Sequence, residues 1–292
     1  IVLTAGVIFM ITNVLNIGSW QNYGVDFTGG SLIQIQVYEN LSAADLRDAL
    51  SGSDEITRFG EESEFVVRAP VAEDGSIGAV ADEIETQLAA AFGEEAFEVV
   101  RTEQVGAKVG GELQLKALYA ILFSFLLTLI YLAIRFELRF GMAAVIATLH
   151  DIMITLGFLA AFRVEIALPT VAAILTILGY SLNDTIVVFD RIRENMHKKG
   201  ARKRDPVDLV NQSINETLPR TILTSGTTLA VLVALLVLGG AVIRDFTVVL
   251  ILGVIIGTYS SIFVASPALI EIQKRMGLGR ASEKKRPQPA TV

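Results

Sequence analysis

The chain has 292 residues, of which 52% are hydrophobic and only 19% charged, and its mean hydropathy is +0.55. That composition argues against disorder and against an ordinary cytosolic globule, and the absence of cysteine excludes disulfide scaffolds, thiolate metal sites and cysteine nucleophiles. A net charge of −7 argues against nucleic-acid binding unless the acid is segregated, and it is: Gly18 to Glu112 holds 19 Asp and Glu against 5 Lys and Arg, −14 in all, leaving the remainder at +7.

In chain order, the first apolar window is Ile1 to Ile17. It is short for a membrane span, which needs ~20 mostly apolar residues, and it begins without methionine. It reads as a truncated first span, since a cleaved leader would show a basic start and a small-residue cleavage site. GVDFTGGS follows, with Gly24, Gly29 and Gly30 able to take backbone angles that other residues reach at a cost. Asp26 is placed to hold loop amides there. The segment is either a tight junction or a hinge between the membrane and what comes next.

The acidic stretch reads as a small folded module. SLIQIQVY, Ser31 to Tyr38, alternates with period two and predicts a half-buried strand. Ser42 then caps a helix over Ala43 to Leu50, with Asp45 in the capping-box position. Strands are predicted near Ile56 to Phe59 and over Glu64 to Ala69, a helix over Ser76 to Phe92, and a last strand over Phe97 to Arg101. The order βαββαβ predicts a ferredoxin-like, split-βαβ domain. Its acidity reads as a solvated surface, with steering of basic or unfolded segments as the functional alternative.

Five more apolar windows follow: Leu115 to Ile134, Phe140 to Phe162, Leu168 to Phe189, Thr221 to Leu238 and Phe246 to Ala265. Basic residues mark the cytoplasmic side of short loops. Arg135 and Arg139 form one basic group; Arg191, Arg193, Lys198, Lys199, Arg202, Lys203 and Arg204 form a second; Lys274, Arg275, Arg280, Lys284, Lys285 and Arg286 form a third. The intervening loops hold Arg163 and Arg244, each close to an acid, Glu165 or Asp245. This alternation predicts six transmembrane helices with both termini cytoplasmic and residues 18–112 extracytoplasmic. The domains expected are a first helix over 1–17, the outer module over 18–112, a bundle of helices two to six over 113–270, and a basic cytoplasmic tail over 271–292. Retention by the positive-inside rule explains that tail without any nucleic-acid partner.

Charge inside a span costs at least ~2.5–3.5 kcal/mol on insertion scales, so each such residue needs a partner or a task. His150 and Asp151 sit mid-span in TLHDIMITLG, with Thr155 a turn further on. Asn183, Asp184 and Thr185 interrupt ILGYSLNDTIVVFD, and Arg220 opens the fifth span in RTILTSGTTL. An amphipathic loop would make the fourth and fifth spans antiparallel neighbours, allowing an Asp184–Arg220 pair. That pair is either glue fixing helix register or a titrating relay, in which desolvation and the guanidinium oppose each other. Asp151 with His150 is a second candidate, or is satisfied by Thr155 and neighbouring hydroxyls. Gly253 and Gly257 form a GxxxG, which predicts close helix packing. There is no phosphate loop, HExxH or GxSxG elbow, so no catalytic residue, metal or cofactor is expected. The energy source open to such a chain is the proton-motive force, ~2.3 kcal/mol per charge per 100 mV.

At GVDFTGG (Gly24 to Gly30), LHD (Leu149 to Asp151), GYSLNDTIVVFDRIREN (Gly179 to Asn195) and LPRTILTSGTTL (Leu218 to Leu229), the chain resembles the SecF side of the SecD/SecF protein-export family, related to resistance–nodulation–division transporters. The resemblance runs from the first span to the sixth, in order and spacing. It implies a non-enzymatic subunit of the bacterial inner membrane, partnered with SecD, the SecYEG channel and YajC. The family uses the proton-motive force to complete preprotein translocation, and its intramembrane aspartate and arginine map onto Asp184 and Arg220. The sequence departs from the family in its short first span and in having no fused SecD half, which puts a complete proton path within this chain in doubt. The alternative is a non-conducting scaffold joining SecD to the channel. An aspartyl protease using Asp151 and Asp184 is disfavoured, because neither aspartate lies in a GxGD motif and helical counting sets them at different depths.

Overall fold

A computed structural model of the chain describes residues 1–38, 41–50, 55–58, 63–69, 79–198, 204–240 and 243–276. Phe59, Ser76, Lys199, Arg202, Lys203, Arg280, Lys284, Lys285 and Arg286 lie outside the described residues.

Helix α1 (Val2–Ile17) ends at Gly18, whose left-handed φ of 79° closes the last turn. A short strand β1 (Asn22–Tyr23) and a one-turn helix α2 (Val25–Thr28) lead into the acidic module. There β2 (Gly30–Val37), α3 (Ala43–Ala49), β3 (Glu55–Arg58), β4 (Glu64–Ala69), α4 (Ala79–Phe92) and β5 (Phe97–Val105) follow in order. The four strands form one sheet in the order β3-β4-β2-β5, and each neighbouring pair is antiparallel. Alternation puts Ile33, Ile35 and Val37 of β2 into one core with Phe65 and Val67 of β4, where Leu46 of α3 and Ile84 and Leu88 of α4 cover them. The Ser42 cap is reciprocal: its hydroxyl accepts from the Asp45 amide, and the Asp45 carboxylate accepts from the Ser42 amide at 2.8 Å.

The remaining helices are α5 (Ala107–Arg135), α6 (Leu138–Phe162), α7 (Leu168–His197), α8 (Pro206–Leu238), α9 (Arg244–Ser260) and α10 (Ser266–Arg275). A two-residue strand β6 (Glu165–Ile166) lies between α6 and α7 and pairs in parallel with β1. Alpha9 and α10 are joined without a break by a π turn, Ser261–Ala265. Among the described residues, five helices are long and apolar enough to cross a membrane, taking Arg244–Arg275 as one; α1, with 16 residues, is apolar and shorter. The chain is a multi-pass helical membrane protein.

Most helices outrun their apolar windows, because their ends are polar but helix-forming. Asp190, Arg191, Arg193 and Glu194 are expected to continue the fourth helix past the membrane with i to i+3 or i+4 pairing, and α7 does run on to His197. The loop expected after it is largely helix as well, since α8 starts at Pro206 and passes through Pro219. These extensions are laced by polar side chains as well as by apolar packing of Ile192 and Leu209. Arg191 pairs with Glu194 and Glu216, and Asn195 donates to Ser213 at 2.9 Å.

Two apolar clusters fill the bundle. One gathers Phe136, Phe140, Phe189, Ile192, Leu209 and Leu269 at the end away from the acidic module. The other gathers Leu159, Ile174, Ile177, Val249 and Val254 at the module's end. Between these clusters, a set of buried residues on α6, α7, α8 and α9 is polar.

Candidate functional site

That polar layer is built from Thr148, Asp151 and Thr155 of α6, Ser181, Asp184 and Thr185 of α7, Thr217, Thr221 and Ser225 of α8, and Ser260 and Ser261 at the end of α9. Asp184 is 8% exposed and Asp151 1%. Thr221 donates to Asp184 Oδ1 at 2.6 Å, and Ser261 donates to its Oδ2 at 2.5 Å. Asp151 Oδ2 accepts from Ser181 and, at 2.7 Å, from Ser260. Its Oδ1 lies 2.9 Å from His150 Nδ1. Thr155 does not serve the carboxylate; its hydroxyl donates to the Asp151 backbone carbonyl at 2.8 Å.

The expected Asp184–Arg220 pair does not form. Arg220 is exposed on α8, and among the described residues its guanidinium makes no ion pair. The reason is helical phase. Residues turn by about 100° each along a helix, so with Thr221 aimed into the bundle at Asp184, Arg220 is turned away. Asn183 is likewise exposed and Thr185 buried, and neither hydrogen-bonds the Asp184 carboxylate. Among the described residues, Asp184 therefore meets hydroxyl donors and no cation.

Helix packing brings these groups together. A Cβ on Gly257 would meet Ser181 Cβ at 2.9 Å, and one on Gly253 would run into the Ile177 side chain. Both glycines thus let α9 lie against α7, which sets Ser260 and Ser261 within reach of α6 and α7. The π turn has a sequence cause. Pro267 has no N–H for the helical ladder, and the Ser266 hydroxyl donates at 3.1 Å to the Ser261 carbonyl. Ser181, Ser260 and Ser261 escape a reading of charge alone, since a serine in a span is common. The serine pair followed by Ser-Pro was the one available signal.

At the outer end, the junction glycines have separate tasks. Gly30, at φ +125°, lies so close to β4 that a Cβ would meet the Ala69 carbonyl at 2.7 Å. Gly24 has the Glu165 carboxyl over it, and Gly29 presses its amide on Gly110 of α5. Asp26 accepts from the Leu168 amide at 2.8 Å, so it caps the first turn of α7, the helix that carries Asp184. Arg68 of β4 pairs with Glu165, tying the module to the same loop. Burial pushes the Glu165 carboxyl above its ordinary range; Arg68 opposes this and Asp245 and Asp26 reinforce it. Among the described residues, no three His, Asp or Glu side chains converge as metal ligands.

The family model described as "Protein export membrane protein SecD/SecF, C-terminal" matches residues 84–275, and the "SecD/SecF GG Motif" matches residues 22–37. A protein translocase subunit SecF from Desulfurispirillum indicum is 48% identical over 256 residues, covering 85% of this chain and 81% of that protein. One from Gemmatimonas aurantiaca is 46% identical, covering 87% of this chain and 78% of its own. The crystal structure of SecDF, a translocon-associated membrane protein from Thermus thermophilus, superposes with a TM-score of 0.78 at 38% identity over 94% of this chain. A SecDF structure in a super-membrane-facing form gives 0.67 at 36% identity. This chain spans only 37% of the first SecDF chain and 38% of the second.

Proposed function

Because the chain belongs to the SecD/SecF family of protein-export membrane proteins, we propose that it acts as the SecF subunit of a bacterial Sec translocase. In the inner membrane, together with SecD, it couples the proton-motive force to late steps of preprotein translocation, alongside SecYEG and YajC. It is a transport subunit and not an enzyme. The observation that carries this reading is Asp184, buried between Thr221 and Ser261 with no cation beside it among the described residues. A buried carboxylate costs several kcal/mol to keep ionised without a counter-ion, and hydroxyl donors offset part of that cost. Such a group takes up a proton from one side and releases it when its donors or exposure change.

In this reading α1 is the first of six spans, both termini are cytoplasmic, and residues 18–112 form the extracytoplasmic module. The sheet order and the two covering helices support a ferredoxin-like fold for that module. The basic groups at one end of the bundle and the acidic module at the other support the orientation. Arg220, exposed on α8, completes the proton path together with SecD rather than within this chain. Alpha7 transmits the change: Asp184 lies about 24 Å along it from Leu168, where Asp26 and the outer junction are attached.

The test is proton flux into vesicles holding the SecD–SecF complex under an imposed pH gradient, read by an enclosed dye. The wild-type complex conducts, and Asp184→Asn reduces the flux at least about tenfold. Equal flux in both, with the complex intact, would replace this reading by that of a non-conducting scaffold.

A further inference from the structure

Asp151 has no part in the reading above, yet it is the more deeply buried carboxylate, and it too meets no Lys or Arg among the described residues. Its link to Asp184 is short and specific. Ser260 donates to Asp151 on α6, and the next residue, Ser261, donates to Asp184 on α7. The two carboxylates thus hang from two consecutive residues at the head of the π turn. Single π turns inside helices recur at functional sites, because the extra residue can migrate or be absorbed. Here each serine already has a second acceptor in reach: Ser260 the Gly257 carbonyl at 3.2 Å, Ser261 the Thr258 carbonyl at 3.0 Å.

We propose that Asp151 is a second proton-accepting carboxylate, coupled to Asp184 through the Ser260–Ser261 step of the π turn. The proposal rests on the reading of Asp184 as the proton carrier. An ionised Asp151 accepts from Ser181 and Ser260 on one oxygen. A proton arriving from water on that oxygen makes it a donor, so one serine must turn its hydrogen elsewhere. Ser260 has the Gly257 carbonyl waiting. Ser260 then accepts from the protonated carboxyl while donating to Gly257, the wide turn tightens toward the α register, and Ser261 swings from Asp184 to the Thr258 carbonyl. Asp184 then loses one of its two donors. No proton passes between the carboxylates; occupancy of one changes the hydrogen bonds that hold the other. The titratable groups facing Asp151 are His150 on its own helix and, on α7 three residues beyond Ser181, Asp184. Alpha9 offers it only serine, and Arg220 of α8 is turned outward. Asp151 is accordingly a positioning residue for Asp184 that itself takes up a proton.

Asp151→Asn is nearly isosteric. Its amide oxygen can accept from both serines, and its NH2 can donate to the other tautomer of His150. The experiment measures preprotein translocation by the reconstituted SecD–SecF–channel complex, with and without a proton gradient, across pH. The variants are Asp151→Asn, Asp184→Asn, the double variant and Ser260→Ala, each checked for assembly. The expected result is that both single Asn variants lose gradient stimulation by about tenfold, and that the double is no worse than either single. Ser260→Ala, which keeps both carboxylates, shifts the pH midpoint of stimulation by about one unit; it carries the test if Asp151→Asn fails to assemble. Full stimulation in Asp151→Asn, a double variant losing the product of the single losses, or an unmoved midpoint in Ser260→Ala would overturn the coupling. Full stimulation in Asp184→Asn would instead overturn the underlying reading.

Discussion

Replacing Glu165 by Gln tests whether the outer junction is held by charge or in spite of it. The Glu165 carboxyl pairs with Arg68, and both side chains are mostly buried, 17% and 19% exposed. Burial is the larger influence on Glu165 and raises its pKa; the attraction to Arg68 is second. A folded-state pKa raised above the ordinary 4.5 means that the folded junction keeps a proton which the opened one has lost. The stabilisation is therefore complete below 4.5 and declines as pH rises through the raised value. Gln cannot ionise, so Glu165→Gln abolishes that slope. It gives up a charge-assisted hydrogen bond of ~1.5–3 kcal/mol but also relieves a larger desolvation cost, so at pH 7 the junction is unchanged or slightly stabilised, by about 0–1 kcal/mol. Arg68→Met is the contrasting change, since it strands the carboxylate. The usual cost of ~3–5 kcal/mol falls to about 2–3 for a pair partly open to water. Hydrogen exchange at the Gly24 amide, which bonds the Ile166 carbonyl at 2.9 Å, reads opening of this junction directly. After correction for intrinsic exchange, a pH slope persisting in Glu165→Gln, or an Arg68→Met cost no larger than that of Glu165→Gln, would refute the reasoning.

Gly257→Val forces α9 away from Ser181 of α7 and should cost about 1–3 kcal/mol, read as a lower melting temperature of the purified protein; an unchanged melting point would show that the helices are not in this contact. Phe65→Ala empties the centre of the acidic module's core and should cost about 3–5 kcal/mol. Amide protection should collapse in β2 and β4 but persist in α7. Asp26→Ala removes the acceptor for the Leu168 amide at a cost of about 1 kcal/mol, so exchange in the first turn of α7 should rise about fivefold.

The apolar windows, the module's element order and the Ser42 cap were all legible because each depends on local pattern: hydropathy, period two or four, and capping chemistry. What was not legible depends on where helices meet. Gly6 and Gly157 bring α1 and α6 into backbone contact, a Cβ on either glycine coming within 3 Å of the other's Cα. Neither belongs to a GxxxG, so nothing in one helix alone marks them. The pairing of β1 with β6 joins two-residue strands 143 positions apart, too short to show any periodicity. Burial cost pointed correctly to Asp151 and Asp184 as the residues needing partners. It named Arg220 as the partner of Asp184 because opposite charges attract in sequence arithmetic. Helical phase gave that place to Thr221 and, from the π turn after α9, to Ser261.

The most direct measurement is the rate of preprotein translocation by the reconstituted complex, with and without an imposed proton gradient, for the wild type and Asp184→Asn. Stimulation by the gradient in the wild type, and its loss by about tenfold in an Asp184→Asn complex that still assembles, is the predicted result. Undiminished stimulation in that assembled variant would contradict the account.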